Sequence, residues 1–170
     1  PTRYRVSKTS DPSKTRPRGK LFYIVLLNLQ RIVLTFWIGG MWAIGYLVVP
    51  VLFQQLPSPQ MAGSLAGKLF ILLSWTGLLS ALILFVTYFF IDQAKWRFAV
   101  LLAIAVFIAI NLFYLSPEIA ALREVSGSAI QAGTDIQRKF ALLHGIASGL
   151  YLLVSLLGLL LVIRQPEKAT

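Results

Sequence analysis

The chain has 170 residues, of which 57% are hydrophobic and only 13% are charged. Soluble globular domains carry about 25% charged and about 45–50% apolar residues. A soluble fold of this size cannot bury so much apolar surface, so the composition excludes an ordinary water-soluble domain and predicts an integral membrane protein. The absence of cysteine also excludes disulfides, thiolate metal sites and cysteine nucleophiles.

The N-terminal tail, residues 1–20, carries seven of the sixteen Lys and Arg residues. These are Arg3, Arg5, Lys8, Lys14, Arg16, Arg18 and Lys20. Such a polar tail cannot bury enough apolar area to offset the entropy of ordering, and we predict that it is disordered on its own. The formal net charge of +10 therefore predicts contact with anionic lipid headgroups through Arg16, Arg18 and Lys20. Docking to an acidic partner is the alternative, and nucleic-acid binding is not expected.

Four apolar runs follow the tail, at about residues 21–53, 65–91, 98–115 and 140–163. A hydrocarbon core of about 30 Å requires about 20 helical residues, which each run can supply. The runs are continuously apolar rather than alternating, which favours helices over barrel strands. We predict an all-α fold, a four-helix transmembrane bundle over residues 21–163, with helices at about 24–53, 65–91, 97–115 and 137–163. Residues 164–170 form a short C-terminal tail.

The charges of the short loops predict the orientation. The N-terminal tail is basic, the turn 92–97 holds Asp92, Lys95 and Arg97, and the loop 54–62 has no charge. By the positive-inside rule, both termini and the turn face the cytoplasm, and a bacterial inner membrane is the expected location. Arg31 is predicted to lie near the boundary of this membrane, where it reaches headgroups or pairs with Asp92. Binding of an anionic lipid or a partner helix is the alternative for Arg31.

The segment after the third run has two helix-start patterns. Ser116, Pro117 and Glu118 stand in the order that begins a helix, and a short apolar face predicts that this helix lies on the membrane surface. Residues 134–137 fit a capping box, which predicts that the fourth helix begins before it enters the bilayer.

Small residues recur every four positions on three of the predicted helices. They are Gly39 with Ala43, Gly63 with Gly67, and Gly145 with Gly149. Small residues let helix backbones approach closely in lipid. We predict that these glycines pack the helices inside one protomer, with an oligomer interface as the alternative.

Polar residues at comparable depth predict one polar layer across the third and fourth helices. The residues are Asn111, Tyr114, His144 and Ser148. Hydrogen bonds between helices are the simplest role, and contact with a substrate, quinone or ion is the alternative. Metal or haem ligation is least favoured, because His144 is the only histidine and no cysteine or carboxylate pair accompanies it. No pattern of catalytic, cofactor-binding or metal-ligating residues is present, so we expect no cofactor and no enzymatic activity.

The first half of the chain carries motifs of a known family. They are Trp37-Ile38-Gly39-Gly40, Val49-Pro50-Val51-Leu52-Phe53 and Leu69-Phe70, and they are followed by Ser116-Pro117 and Phe140…His144-Gly145. With these motifs the chain resembles the DUF4149 (TMEM205-like) family over about residues 24–163. The resemblance implies a four-helix membrane domain of undetermined biochemical activity.

Three functional hypotheses follow. The first is a non-catalytic accessory or assembly subunit that associates laterally with other membrane protein subunits of a larger complex. The second is a small oligomeric transporter or permeability factor for a hydrophobic or cationic compound, with a pore lined by the polar layer. The third is a haem or quinone site at His144.

Overall fold

A computed structural model describes residues 17–91, 94–125 and 135–164. The helices in chain order are α1 Pro17–Trp42, the π-helical segment π1 Ala43–Val48, α2 Val49–Gln55, α3 Pro59–Ile91, α4 Lys95–Ile110, the π-helical segment π2 Asn111–Leu115, α5 Ser116–Val125 and α6 Asp135–Ile163. No strand occurs among these described residues. The predicted disorder of the N-terminal tail and the predicted capping box at Thr134 lie outside them.

Four helical stretches in the described part are long and apolar enough to cross a membrane. They are Gly19–Gln55, Pro59–Ile91, Lys95–Glu124 and Asp135–Ile163, here called spans 1 to 4. The predicted all-α, four-helix transmembrane fold is thereby confirmed. Only 22–28% of the most apolar window of each span is buried inside the chain, so most of the apolar surface faces outward, where lipid can solvate it.

Consecutive spans are antiparallel, which brings Pro17 and Arg164 to the same end of the bundle, called here the termini end. Phe22 contacts Phe90 near this end, and Trp96 contacts Arg164. Spans 1 and 3 each pack against both spans 2 and 4. The centre is filled by one leucine from each span, none more than 1% exposed: Leu34, Leu84, Leu101 and Leu161. Such close packing, rather than exclusion of water, holds helices together in lipid.

Each π-helical segment is followed within two residues by a proline inside the same span. Pro50 follows π1, and Pro117 follows π2. A proline removes the hydrogen bond to the carbonyl four residues earlier and clashes with it. A wider π turn shifts the hydrogen-bond register at that point and lets the helix continue. Span 1 therefore continues through Pro50 to Gln55.

A π turn before a proline also explains why the region predicted as a separate surface helix is part of span 3. Ser116 has right-handed helical dihedrals, φ −62° and ψ −45°, so α5 continues span 3 instead of beginning a new helix. α5 packs against α6, and Lys139 Nζ lies 3.4 Å from Oε2 of Glu118, near the start of α5. The Ser-Pro-Glu order is thus used inside a continuous helix, because π2 accommodates the proline.

Candidate functional site

The four residues of the predicted polar layer do not come together within the chain. Asn111 lines an interior cavity, whereas Tyr114 is 63% exposed and His144 and Ser148 are exposed on α6. The ring of His144 stacks parallel to that of Phe140, one helical turn earlier, with centroids 5.9 Å apart.

The buried face of α6 explains this arrangement. The buried residues of α6 are Val154, Ser155, Gly158 and Leu161, and residues three or four positions apart share a helix face. Their stripe continues towards the start of α6 through half-buried Ala147 and Leu143. His144 and Ser148 share a side with one another, as their spacing predicts, and both are exposed, whereas Tyr151 and Ser155 further along that side are half-buried and buried.

The glycines predicted to pack the helices lie in two different environments. Gly39, Gly145 and Gly149 have open space where a Cβ would point, with no atom of the described residues within 4 Å. Gly63 and Gly67 are half-buried, and both lie under the side chain of Arg123, which would be 3.5–3.6 Å from an added Cβ. Only the pair in span 2 therefore packs against another span of this chain.

Three other glycines make the close approaches between spans. A Cβ at Gly77 would lie 2.8 Å from Trp37 Nε1, and a Cβ at Gly45 would lie 2.6 Å from the hydroxyl of Tyr151. A Cβ at Gly158 would overlap the side chain of Ile38. None of these glycines was singled out from the sequence, because isolated glycines show no small-residue repeat.

A small interior cavity, with a volume of about 30 Å³, lies between the four spans. It is lined by Trp37, Met41, Phe70, Leu73, Ser74, Phe107, Ile108, Asn111, Leu150, Tyr151 and Val154. A space of this size holds about one water molecule and is far smaller than the roughly 300–1,000 Å³ of typical ligand pockets.

The polar groups around this cavity are bonded largely to backbone carbonyls. Tyr151 Oη donates to the carbonyl of Met41 at 2.5 Å, and Ser74 Oγ donates to the carbonyl of Phe70 at 2.8 Å. Met41 lies two residues before π1, where the backbone register shifts from four to five residues. Tyr151 therefore ties span 4 to the irregular part of span 1, and the cavity has the properties of a structural junction.

A second polar group, at the termini end, consists of two arginines and two aromatic residues, called here the arginine–aromatic cluster. Arg97 is only 6% exposed, and its Cζ lies 5.3 Å from the ring centroid of Trp96 and 6.0 Å from that of Tyr88. The Cζ of Arg164 lies 5.8 Å from the same Trp96 ring. The hydroxyl of Tyr88 is buried and finds no acceptor for its proton among the described residues, since the guanidinium of Arg97 beside it can only donate.

In the sequence, Arg97 is one of the charges of the turn 92–97 that predict the orientation, and no site was predicted at it. The sequence pattern that could have indicated the cluster is a Trp-Arg pair at the start of a membrane helix, since arginine stacks readily on indole. That pair does not reveal that the arginine points into the bundle.

Comparison with known proteins defines the family. Residues 32–128 match the family described as Domain of unknown function (DUF4149), which is more than half of the chain. The chain belongs to this family. No curated protein matches, and no solved structure matches. The stretch matched to DUF4149 contains Asn111 and Arg97, whereas α6 with His144 follows it.

In this DUF4149 protein, α6 presents a strip of small side chains on the side opposite its buried stripe. The strip, called here the α6 outer face, consists of Ala141, Gly145, Ser148, Gly149 and Leu152, all of which are exposed. The space above its two glycines is open. Small residues on a membrane helix permit close contact with another helix.

The predicted lipid contacts are only partly within the described chain. Arg31 is half-buried and Lys20 is exposed. Arg16, the side chain of Arg18 and the proposed partner Asp92 lie outside the described residues, so the contact of the tail with headgroups and the Arg31–Asp92 pair stay predictions. Among the described residues, no group of three or more His, Cys, Asp or Glu side chains could hold a metal ion.

Proposed function

We propose that this DUF4149 protein is a non-catalytic accessory or assembly subunit that associates laterally with other membrane proteins through the α6 outer face. The observation that supports the proposal is the exposure of Gly145, Ser148 and Gly149 on one side of a membrane-spanning helix. This side has no contact with the other three spans at its glycines.

The position of Ser148 along α6 places its hydroxyl inside the membrane. Ser148 lies about 22 Å along the helix from Ile163, at 1.5 Å per residue, within a hydrocarbon core of about 30 Å. Lipid chains offer this hydroxyl no hydrogen bond, whereas a neighbouring helix can. His144 lies about 29 Å from Ile163, at the level of the opposite headgroups.

The glycines of the α6 outer face also favour a partner. Glycine costs a helix about 1 kcal/mol relative to alanine, and the open surroundings of Gly145 and Gly149 show no packing against the described part of the chain that offsets this cost. A second helix laid against the face would gain close backbone contact. The proposed partner is therefore a helix of another membrane subunit.

The other two hypotheses lack a comparable supporting observation at the residues predicted for them. The interior cavity has room for about one water molecule and includes only Asn111 of the predicted pore lining. His144 stacks on Phe140 at the surface of α6, where a haem or quinone would need ligands or walls from another molecule.

The test is to fill the α6 outer face while leaving the bundle intact. We expect the amount of complex that co-purifies in mild detergent to fall at least about tenfold in the double variant Gly145→Leu/Gly149→Leu. The added side chains prevent close helix contact. Native mass spectrometry and native gel electrophoresis of the full chain measure the loss.

The matched control is Gly39→Leu in span 1, which adds the same side chain at an exposed glycine with equally open surroundings. It should keep the complex. Equal loss in the control and the double variant, or a complex that withstands the double variant, would disprove the use of this face.

A further inference from the structure

We propose that the arginine–aromatic cluster binds a phosphate-type anion at the termini end of the bundle. Arg97 and Arg164 supply the charge, Trp96 holds both guanidinium groups, and the hydroxyl of Tyr88 supplies a further hydrogen bond. This site is separate from the α6 outer face and does not depend on lateral association.

The burial of Arg97 is the first reason. Removing a guanidinium from water costs several kcal/mol unless an opposite charge compensates, and a cation–π contact returns only about 0.5–2 kcal/mol. The ion pairs between described residues, Asp135–Arg138 and Glu118–Lys139, do not involve Arg97. Within the described chain, Arg97 is thus a 6% exposed charge stacked on two rings, with no carboxylate to neutralise it.

The hydroxyl of Tyr88 is the second, independent reason. Tyr88 is 1% exposed, and its Oη makes no hydrogen bond of regular geometry with the described residues, the polar group that interacts with it being the guanidinium of Arg97. A guanidinium can only donate, so the hydroxyl proton of Tyr88 has no acceptor among the described residues. A buried hydroxyl left without an acceptor costs about 1–3 kcal/mol. An anion beside Arg97 would accept a hydrogen bond from this hydroxyl and so satisfy both groups.

The start of α4 adds to the positive potential. α4 begins at Lys95, and its first turn contains no acidic residue. The free N–H groups and the dipole at a helix start favour a negative charge. Arg164, which is exposed, lies over the same indole ring as Arg97 and gives the anion a route in from the surface.

Phosphate is the anion that these groups fit. Two guanidinium groups offer planar pairs of N–H donors, which match phosphate oxygens, and a hydroxyl and a helix start donate to the same kind of group. Trp96 lies at the end of span 3, where indole rings occupy the headgroup level of a membrane. The phosphate can therefore belong to the headgroup of an anionic phospholipid or be free in solution. The zwitterionic phosphatidylcholine is the reference, because its own ammonium group balances its phosphate and is repelled by the two arginines.

The experiment compares phosphatidylglycerol, phosphatidylcholine and inorganic phosphate on the full chain. Native mass spectrometry counts the retained lipid, and the thermal midpoint is followed during titration with each compound. We expect phosphatidylglycerol to bind more tightly than phosphatidylcholine, and Arg164→Gln and Arg97→Lys each to weaken its binding by about tenfold, the value of one charge-assisted hydrogen-bonded contact.

The control is Lys95→Gln, which removes one positive charge from the exposed surface next to the cluster. It should change binding by less than about twofold, the effect of a screened surface charge. If inorganic phosphate instead stabilises the chain and displaces the lipid, with the same two variants impaired, the site stands and its ligand is free phosphate.

Two outcomes would overturn the proposal. One is binding of neither phosphatidylglycerol nor phosphate in preference to phosphatidylcholine. The other is an equal loss of binding in Arg164→Gln and Lys95→Gln, which would show a diffuse charge effect. If Arg97→Lys does not fold, Arg164→Gln decides the result, because its exposed side chain can change without disturbing the core.

Discussion

Gly77 allows spans 1, 2 and 3 to meet around the indole of Trp37. A Cβ at this position would lie 2.8 Å from Trp37 Nε1 and 2.9 Å from Ile108 Cδ1. Trp37 is 5% exposed, and a rigid buried ring has little room to move. The residue with no side chain is therefore the one that sets the distance between these helices.

We expect Gly77→Ala to lower the free energy of unfolding by up to about 2 kcal/mol, because the overpacking cost of about 1–3 kcal/mol is offset only in part by a gain of about 1 kcal/mol in helix propensity. Denaturant-induced unfolding in mixed micelles, followed by tryptophan fluorescence, measures the change. Gly149→Ala is the control, since open space surrounds its Cβ position, and it should leave stability unchanged or slightly higher. A stability of Gly77→Ala equal to that of the control would contradict the packing seen here.

At the scale of the elements, each π-helical segment stands just before a proline in its span. The wider turn keeps the helix continuous but disturbs the backbone hydrogen bonds around it. Near π1 this disturbance is compensated from another span, where the Tyr151 hydroxyl donates to the carbonyl of Met41. Gly45 makes room for the tyrosine ring.

Tyr151→Phe tests this compensation. Removing the hydroxyl leaves the Met41 carbonyl without its donor in an apolar interior, and we expect a loss of about 1 kcal/mol, in the range measured for hydrogen bonds in membrane proteins. The same micelle unfolding measurement applies. Tyr114→Phe removes a hydroxyl from a residue that is 63% exposed and should have little effect. Similar losses of stability in Tyr151→Phe and Tyr114→Phe would show that the hydrogen bond from Tyr151 to the carbonyl of Met41 does not stabilise the fold.

At the scale of the whole molecule, four spans put both described termini at one end of the bundle. Because the chain contains no cysteine, single cysteines report the side of the membrane without a background. Lys20 and Lys95 are exposed at the termini end, and Gln60 and Arg138 are exposed at the opposite end.

With the termini end facing the cytoplasm, as the loop charges predict, a membrane-impermeant maleimide should label Gln60→Cys and Arg138→Cys in intact cells. Lys20→Cys and Lys95→Cys should be labelled only after the membrane is opened. The reverse labelling pattern would show that the termini end faces away from the cytoplasm, with the four-span fold unchanged. Labelling that separates Lys20→Cys from Lys95→Cys would refute the four-span topology itself.

The sequence by itself determined the number of spans, the helical class and the family resemblance. The number of spans and the helical class follow from comparing the length of the continuous apolar runs with the thickness of a bilayer, and the resemblance follows from the motifs around Trp37 and Pro50. The sequence did not show that π turns would carry the helices through Pro50 and Pro117.

Only the tertiary structure decided which side of each helix is buried. Helices in lipid are apolar on all sides, so the pattern that marks the inner face of a soluble helix is weak or missing. For this reason Gly145 and His144 could be assigned to the interior from their spacing, while the structure places them outside. For the same reason Arg97, which reads as a surface charge in the sequence, is found among the rings of Tyr88 and Trp96.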